Sequence, residues 1–138
     1  MRFMMIMFPK GYENEKAGTV PGLEDMDKMG KYNEALGKAG VLLALDGLTP
    51  PATMSARVTF KNGKSKVTDG PFTETKEVIG GFWIIQVKSP EEAIEWASRI
   101  PGKDDLVVEV RRLLDITDFP ADIQKKIMER FGDGGDKP

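Results

Sequence analysis

A short apolar stretch in the second half of the chain sets the strongest limit on its fold. Residues 82–87 read Phe-Trp-Ile-Ile-Gln-Val, so apolar side chains fill both sets of alternating positions until Gln86. Because successive side chains of a strand point to opposite faces, this pattern predicts a central strand covered on both sides. Residues 2–8, Arg-Phe-Met-Met-Ile-Met-Phe, predict a second strand of the same kind. Any fold for this chain must therefore cover two strands on both faces.

Helical periodicity and turn signals supply the elements around these strands. Apolar residues at three- and four-residue steps predict a helix over residues 23–39, and Gly40 lies where a helix commonly ends. Ser89-Pro90-Glu91-Glu92 predicts the start of a second helix, because it offers a cap, a proline at the first helical position and acids in the first turn. Further strands are predicted at 41–45 and 106–113, with a hairpin over 55–68 that turns at Asn62-Gly63.

This order of elements predicts an α+β fold. It reduces to βαββαβ with an inserted hairpin, the ferredoxin-like plan, in which two helices cover one face of an antiparallel sheet. The other face would then lie bare, although the strands at 2–8 and 82–87 are apolar on both faces. A second copy of the chain covering the bare face resolves this conflict, so we expect a homodimer packed sheet to sheet.

The chain divides into a main unit, residues 1–114, and a C-terminal extension, residues 115–138. In the extension, Ile123, Ile127 and Phe131 recur at four-residue steps, which predicts a short amphipathic helix over residues 121–131. Glycine and aspartate fill residues 132–136, which we expect to form a frayed tail.

Two absences narrow the chemistry more than any motif does. The 138 residues include no cysteine and no histidine. The chain therefore has no thiolate nucleophile, no imidazole base and no cysteine-based zinc site, and proton transfer would fall to Asp, Glu, Lys or Tyr. The sequence also lacks an Asp-x-Asp calcium loop, so we expect no metal site and no cofactor.

Charge and hydropathy limit the partners. The 20 basic and 22 acidic residues give a net charge of −2 and are interspersed along the chain, which argues against nucleic acid and anionic membranes as main partners. The apolar run at residues 1–8 is broken by Pro9, Lys10 and Gly11, so it is too short for a membrane span or a secretory signal. We therefore expect a cytoplasmic protein.

Four polar residues are the candidate site. Asp69 precedes a Gly-Pro turn and is a candidate general base or ligand anchor, although its carboxylate equally suits a cap on that turn. Glu109 and Arg111 fall on the strand face opposite Val110, which should be the face without helices. There they either bind a small polar or anionic ligand or pair across the dimer. Gln86 either orients a ligand or marks a strand end that reaches solvent.

Several motifs together resemble one family. The main motifs are Asp69-Gly70-Pro71-Phe72, Thr73-Glu74-Thr75-Lys76-Glu77, Gly80-Gly81-Phe82, Glu92-Ala93-Ile94-Glu95-Trp96-Ala97 and Val108-Glu109-Val110-Arg111. Two further motifs are Gly40-Val41-Leu42 and Gly47-Leu48-Thr49-Pro50-Pro51. Over roughly residues 1–113, the set is similar to the YCII-related family, in particular to its DGPF-domain branch.

The resemblance implies a dimeric α+β barrel, in agreement with the order of elements. Other YCII-related branches carry a histidine with an aspartate that is proposed as an active-site pair. Because this chain has no histidine, only Asp69 can be carried over, as the surviving carboxylate. Members of the DGPF branch are also associated with extracytoplasmic-function sigma factors, which implies a regulatory context.

Three functions remain open at this point. The first is a homodimer that binds a small molecule in a cleft between its two chains. The second is an enzyme of the dimeric α+β barrel type that uses Asp69 and Arg111 in acid–base or cofactor-free chemistry. The third is a regulatory module that binds a protein such as a sigma factor, with the apolar stripe of the C-terminal extension as its contact.

Overall fold

The alternating strands build an antiparallel sheet in the structure of the chain, a computed structural model that describes residues 1–72 and 77–132. The predicted types and order of the elements are confirmed, with shifts of one or two residues at their ends. The strands are β1 (Arg2–Phe8), β2 (Leu42–Gly47), β3 (Ala56–Lys61), β4 (Lys64–Asp69), β5 (Gly81–Gln86) and β6 (Val107–Arg112), and the helices are α1 (Leu23–Lys38), α2 (Pro90–Ser98) and α3 (Ala121–Phe131).

Four of the strands form the main sheet, in the order β2-β5-β1-β6. The two strands that are apolar on both faces, β1 and β5, occupy its centre, as predicted. Each neighbouring pair is antiparallel. The remaining strands, β3 and β4, pair with each other in a second, two-stranded sheet. This mixed α+β architecture is compatible with the ferredoxin-like plan.

Helices α1 and α2 cover one face of the main sheet. Every second side chain of the central strands is buried beneath them, including Met5 and Ile85, which are completely inaccessible to solvent. Complete burial of a side chain of this size contributes roughly 1.5–3 kcal/mol to folding. The same core cluster contains Phe3 and Trp83 from the strands, Tyr32 and Leu36 from α1, and Ala93 and Trp96 from α2.

Two polar contacts fix the aromatic part of this core. The Tyr32 hydroxyl donates to the backbone carbonyl of Trp96 over 2.7 Å, and the Trp83 indole N–H donates to Asn33 Oδ1 over 2.8 Å. The Tyr32 ring lies edge-on to the rings of Trp83 and Trp96, at centroid distances of 5.8 and 6.3 Å. Burial raises the pKa of Tyr32 to about 12, and the Arg99 guanidinium opposes part of this rise. Tyr32 and Trp83 therefore serve packing.

The residues that predict the helix cap and the hairpin turn adopt the expected geometry. Ser89 Oγ accepts a hydrogen bond from the Glu92 N–H over 3.2 Å, and Glu92 Oε2 accepts one from the Lys88 N–H over 2.9 Å. These bonds satisfy backbone donors at the start of α2. Asn62 and Gly63 have positive φ angles of 52° and 73°, as a two-residue hairpin turn of this kind requires.

Two apolar segments differ from the sequence pattern. The pattern places Ile94 on the apolar side of α2 and Trp96 at its flank, but Trp96 is buried and Ile94 is exposed. The larger aromatic surface of Trp96 occupies the core position instead. Residues 41–45, the predicted strand that became β2, are all apolar, yet Leu43 and Leu45 are exposed. The reason is that β2 is an edge strand whose pairing with β5 is irregular near its start.

The C-terminal helix α3 follows a hydrogen-bonded elbow. Arg112 forms a two-pronged ion pair with Asp118 at 2.8 and 3.0 Å, and Asp118 Oδ2 accepts the Asp115 N–H over 2.7 Å. Arg112 thereby holds the pKa of Asp118 below its ordinary value. The Gln124 side chain donates to the carbonyl of Phe119 over 2.7 Å, which ties α3 to the elbow. The apolar side chains Ile123, Met128 and Phe131 of α3 are exposed.

Within residues 1–72 and 77–132, no helix combines the length and the apolarity needed to cross a membrane. The predicted frayed tail falls largely on residues 133–138, which lie outside the described residues.

Candidate functional site

The face of the main sheet opposite α1 and α2, called here the helix-free face, carries the second set of alternating side chains. Its centre is apolar and consists of Met4 and Ile6 from β1 with Phe82 and Ile84 from β5, all half-buried. Strand register sets these side chains in two adjacent rows that cross the sheet from β2 to β6. The rows are Ala44, Ile84, Met4, Arg111 and Asp46, Phe82, Ile6, Glu109.

Three of the four predicted site residues lie on this face. Arg111 stands opposite Met4 and Glu109 opposite Ile6, so both lie along the β6 edge of the apolar centre. Arg111 Nη1 donates to Glu109 Oε2 over 3.3 Å, while the Arg111 side chain stays 70% exposed. Gln86 is exposed at the end of β5, on the far side of β1. Two strand spacings, about 10 Å, therefore separate the Gln86 backbone from β6.

The helix-free face holds two further polar residues that the sequence analysis missed. Arg2 stands opposite Gln86, and its guanidinium donates to the carbonyl of Leu114 over 3.1 Å. The alternation of residues 2, 4 and 6 was the available signal for Arg2. Asp46 stands opposite Phe82 at the β2 edge. It was missed because β2 continues past its predicted end at residue 45.

The polar residues of this face can recognise a small molecule that has an anionic group. A guanidinium presents a planar fork of donors that matches carboxylate and phosphate oxygens, and Arg2 and Arg111 supply two of them. The Gln86 amide offers both a donor and an acceptor. Within residues 1–72 and 77–132, no three carboxylates lie close enough together to hold a metal ion.

Asp69 lies apart from these residues. It is the last residue of β4 and stands opposite Ala56 in the two-stranded sheet, with an exposed side chain. The other three predicted residues, Gln86, Glu109 and Arg111, belong to the four-stranded sheet. The predicted site residues are thus divided between two sheets, and the structure of one chain does not gather them into a single pocket.

The turn after Asp69 folds tightly against the base of the hairpin. The Gly70 N–H donates to the carbonyl of Ser55 over 2.8 Å, and a Cβ on Gly70 would lie 1.8 Å from Ser55 Oγ. A side chain at this position would therefore have to displace the Ser55 hydroxyl. The Gly70-Pro71 peptide is cis, and the Arg57 guanidinium lies 3.9 Å above the centre of the Phe72 ring. These contacts give the motif a packing role.

Close backbone approach explains the glycine pair before β5. A Cβ on Gly80 would lie 2.6 Å from Pro9 Cγ, and a Cβ on Gly81 would lie 3.0 Å from the carbonyl oxygen of Asp46. The Gly80 N–H also donates to the carbonyl of Met7 over 2.8 Å. The pair therefore lets three strands meet at one end of the sheet. The charged loop ahead of it, with Glu74 and Lys76 in residues 73–76, lies outside the described residues.

A groove of about 470 Å³ lies on the helix-covered side of the sheet, between α2 and β6. Glu109 and Arg111 alternate with the β6 residues that line it, so the predicted site and the groove lie on opposite sides of the sheet. Polar and apolar atoms share the surface of the groove about equally, and its lining residues are Ile94, Ala97, Ser98, Ile100, Gly102, Lys103, Leu106, Val108 and Val110.

Comparison with known families identifies the domain that carries these features. The YCII-related domain matches residues 1–117, which include both sheets and the two core helices. The chain belongs to the YCII-related family. In this YCII-related protein, helix α3 follows the matched region.

One relative of this YCII-related chain is an uncharacterised protein of Rhizobium meliloti (strain 1021). The two are 42% identical over 67 residues, which represent 49% of this chain and 50% of the relative. The match thus spans about half the length of the curated relative. Because that protein is uncharacterised, the similarity assigns no activity to this chain.

Proposed function

We infer that this chain belongs to the DGPF branch of the family and works as a homodimer that binds a small polar or anionic molecule. The helix-free faces of two copies meet, and the ligand binds at the rim of their interface. The observation that carries this proposal is the apolar centre of the helix-free face, formed by Met4, Ile6, Phe82 and Ile84 and bordered by polar residues.

The apolar centre favours contact with a second sheet. Burial of apolar surface contributes roughly 25 cal/mol per Å², and two sheets pack face to face at about 10 Å. A face that meets its own copy does so about a two-fold axis, so each chain contributes the same residues. Two four-stranded sheets in this arrangement would form the α+β barrel that the family resemblance implies.

The polar border favours a ligand with an anionic group. Arg2 and Arg111 bring two guanidinium groups to this face, and Gln86 stands directly opposite Arg2. A second chain would exclude water from the border, and hydrogen bonds to charged groups strengthen as the local dielectric falls. Glu109, which accepts a hydrogen bond from Arg111, would hold that guanidinium in place before the ligand binds.

Acid–base catalysis by Asp69 has less support. A carboxylate that acts as a general base near neutral pH needs a desolvated setting that raises its pKa. Asp69 is exposed at the end of β4, on a different sheet from Arg111. We therefore propose a binding role for the helix-free face ahead of an enzymatic role for Asp69.

Sedimentation velocity tests the homodimer. We expect the wild-type protein to sediment at twice its 15.3 kDa chain mass, and we expect Ile84→Lys to sediment as a monomer because it places a charge in the apolar centre. Ile94→Lys is the matched control, since Ile94 is also apolar and lies on the helix-covered side. A wild-type monomer across the accessible concentrations, or equal dissociation by both variants, would refute the interface.

Thermal-shift measurements with a panel of small carboxylates, sugar phosphates and inorganic phosphate test the ligand. A compound that raises the melting temperature of the wild type should lose this effect in Arg111→Gln. It should keep the effect in Arg130→Gln, which removes an exposed arginine of α3. Equal shifts in the two variants would mean that the compound binds elsewhere, and no shift with any compound would count against an anionic ligand.

A second candidate function, binding of a regulatory protein, rests on helix α3. Its apolar residues Ile123, Met128 and Phe131 are exposed although the elbow before it is held by hydrogen bonds and an ion pair. A purified extracytoplasmic-function sigma factor is the probe that the family context suggests. We expect the full chain to bind it and residues 1–114 to lose binding, whereas equal binding by both would exclude α3 as the contact.

A further inference from the structure

The hairpin of β3 and β4, called here the arm, has one largely apolar face that stays exposed in the part of the chain that the structure describes. Register places Val58 opposite Val67, with Phe60 two residues further along the same face. Their exposed fractions are 52% for Val58, 63% for Val67 and 78% for Phe60. By contrast, the apolar residues at the centre of the helix-free face are half-buried. The arm thus presents the more exposed of the two apolar surfaces.

The opposite face of the arm is strongly basic. Its register pairs Arg57 with Thr68, Thr59 with Lys66, and Lys61 with Lys64, so four cations share one face. With the single carboxylate of Asp69, the arm carries a charge of +3. Because the whole chain carries −2, the residues outside the arm carry −5. The even distribution of charge that the sequence suggests does not hold for the folded chain, which has a basic arm and an acidic body.

A hairpin of this kind needs a partner to be well ordered. A two-stranded hairpin alone is marginally stable in water and gains stability when its apolar face packs on another surface. The arm forms a sheet of its own, apart from the four-stranded sheet. Its backbone is tied to the chain at its base, where the Gly70 N–H donates to the carbonyl of Ser55. The Arg57 guanidinium also contacts the Phe72 ring, and a surface that covers Val58, Phe60 and Val67 would add further stabilisation.

We propose that the arm of one chain packs its apolar side chains against a second copy of the chain, while its cations are attracted by the net negative charge of that copy's body. This inference rests on the homodimer proposed above and adds a second element to its interface. The charges of the arm and the body are opposite in sign, which favours the approach of two copies. A polyanion such as nucleic acid would be repelled by the body and would leave the three apolar side chains uncovered. A second copy offers the arm both protein surface for its apolar side chains and a net charge of opposite sign.

The area of the interface points the same way. Four strands at ~4.8 Å spacing and about 20 Å in length give the helix-free face roughly 400 Å² of projected surface. Stable interfaces bury ~800 Å² per partner, so the helix-free face alone supplies about half of that area. One arm, two strands wide and equally long, adds roughly 200 Å² per chain. Contact through both surfaces brings the dimer into the range of stable interfaces.

Sedimentation equilibrium of arm variants tests this proposal. We expect the double variant Val58→Thr/Phe60→Thr to raise the dimer dissociation constant about tenfold or more, because both changes remove apolar contact and keep residues suited to a strand. The matched control, Thr59→Ser/Thr68→Ser, changes the basic face of the same strands and should leave the constant within about twofold. Circular dichroism spectra show whether the variants remain folded.

The outcomes separate this proposal from the homodimer itself. If the wild type is a monomer throughout, both proposals fail. If Ile84→Lys dissociates the dimer while the apolar arm variant and its control dimerise equally well, only the arm proposal fails. A dissociation constant that increases when NaCl is raised from about 50 to about 500 mM supports the attraction between arm and body. A dissociation constant that does not change with salt contradicts it. Tight binding of a short DNA duplex by the monomer would also overturn the proposal.

Cross-linking provides a measurement that does not depend on mutating the apolar face. Because the chain has no cysteine, Asn62→Cys places one thiol at the tip of the arm for a photo-reactive label. A mixture of ¹⁴N and ¹⁵N chains distinguishes contacts between copies from contacts within one. We expect mixed-isotope cross-links from the tip of one chain to the body of another. Cross-links confined to single chains would refute the contact between the arm and a second copy.

Discussion

Strands β4 and β5 are consecutive strands of six residues each, yet one is exposed to solvent and the other is part of the core. Every residue of β4 is exposed, whereas alternate residues of β5 are buried under the helices. Both strands alternate between two kinds of side chain, so strand alternation by itself does not decide burial. What decides it is whether another layer lies above the strand. This comparison separates a core that is covered within one chain from an exposed arm, for which we propose a second copy as the cover.

The largest loss of stability should come from a substitution in the buried strand β5. Ile85→Ala removes a completely buried side chain, and we expect the free energy of unfolding to fall by roughly 2–5 kcal/mol. Phe60→Ala removes a larger side chain from the exposed arm, and it should change the unfolding of the isolated chain by less than about 0.5 kcal/mol. Urea denaturation at low protein concentration measures both, and similar losses would contradict the division.

A second prediction uses the pH dependence of the aromatic core. Tyr32 keeps its proton up to a pKa of about 12 in the folded chain, while an unfolded tyrosine ionises near pH 10. The stability that this difference supplies is complete below about pH 10 and is lost as the pH rises towards 12. Tyr32→Phe should flatten this decline. Thermal melts from about pH 8 to 11 measure it, and parallel declines in both proteins would contradict the role of Tyr32.

The cap of α2 should have a smaller effect. Ser89→Ala removes the acceptor for the Glu92 N–H, and we expect a loss of about 1 kcal/mol in the free energy of unfolding. Ser89→Asp keeps an acceptor at the same place and serves as the control, since it should stay within about 0.5 kcal/mol of the wild type. Urea denaturation distinguishes the two. A full loss in both variants would show that the cap is not the cause.

The smallest effect on global unfolding should come from the turn of the arm. Gly63 has a φ of 73°, so Gly63→Ala strains the turn by about 1 kcal/mol, but this strain opens the arm without unfolding the core. We therefore expect faster hydrogen exchange in β3 and β4 alone, with the free energy of global unfolding changed by less than about 0.3 kcal/mol. If the free energy of global unfolding fell by the full strain in the turn, arm and core would unfold together.

The same comparison explains how much of the fold was predictable. The order of elements, the caps and the hairpin turn follow from local signals, and Ser89, Asn62 and Gly63 adopt the geometry that their residue types favour. The central position of β1 and β5 was predicted from the apolar side chains on both of their faces, although residues 41–45 are equally apolar and form the edge strand β2. These features depend on short-range chemistry that a single sequence contains.

The candidate site was less predictable because it depends on register between distant strands. Alternation along β6 placed Glu109 and Arg111 on one face, but only the pairing of β1 with β5 places Arg2 opposite Gln86. Asp69 was predicted as a site residue from its place before a Gly-Pro turn and from the family resemblance, yet the hairpin carries it to a separate sheet. Its predicted role in the site stays a prediction.

Hydrogen exchange at two protein concentrations tests the contrast between core and arm most directly. The experiment follows peptides from β1 and β5 beside peptides from β3 and β4, in protein diluted through the dimer dissociation constant. We expect the central strands to stay protected at both concentrations, because their other face is buried under the helices of the same chain, and we expect the arm to lose protection on dilution, because the second copy is its proposed cover. An arm that remains as protected as β5 in the dilute monomer, or stays unprotected in the dimer, would contradict the account.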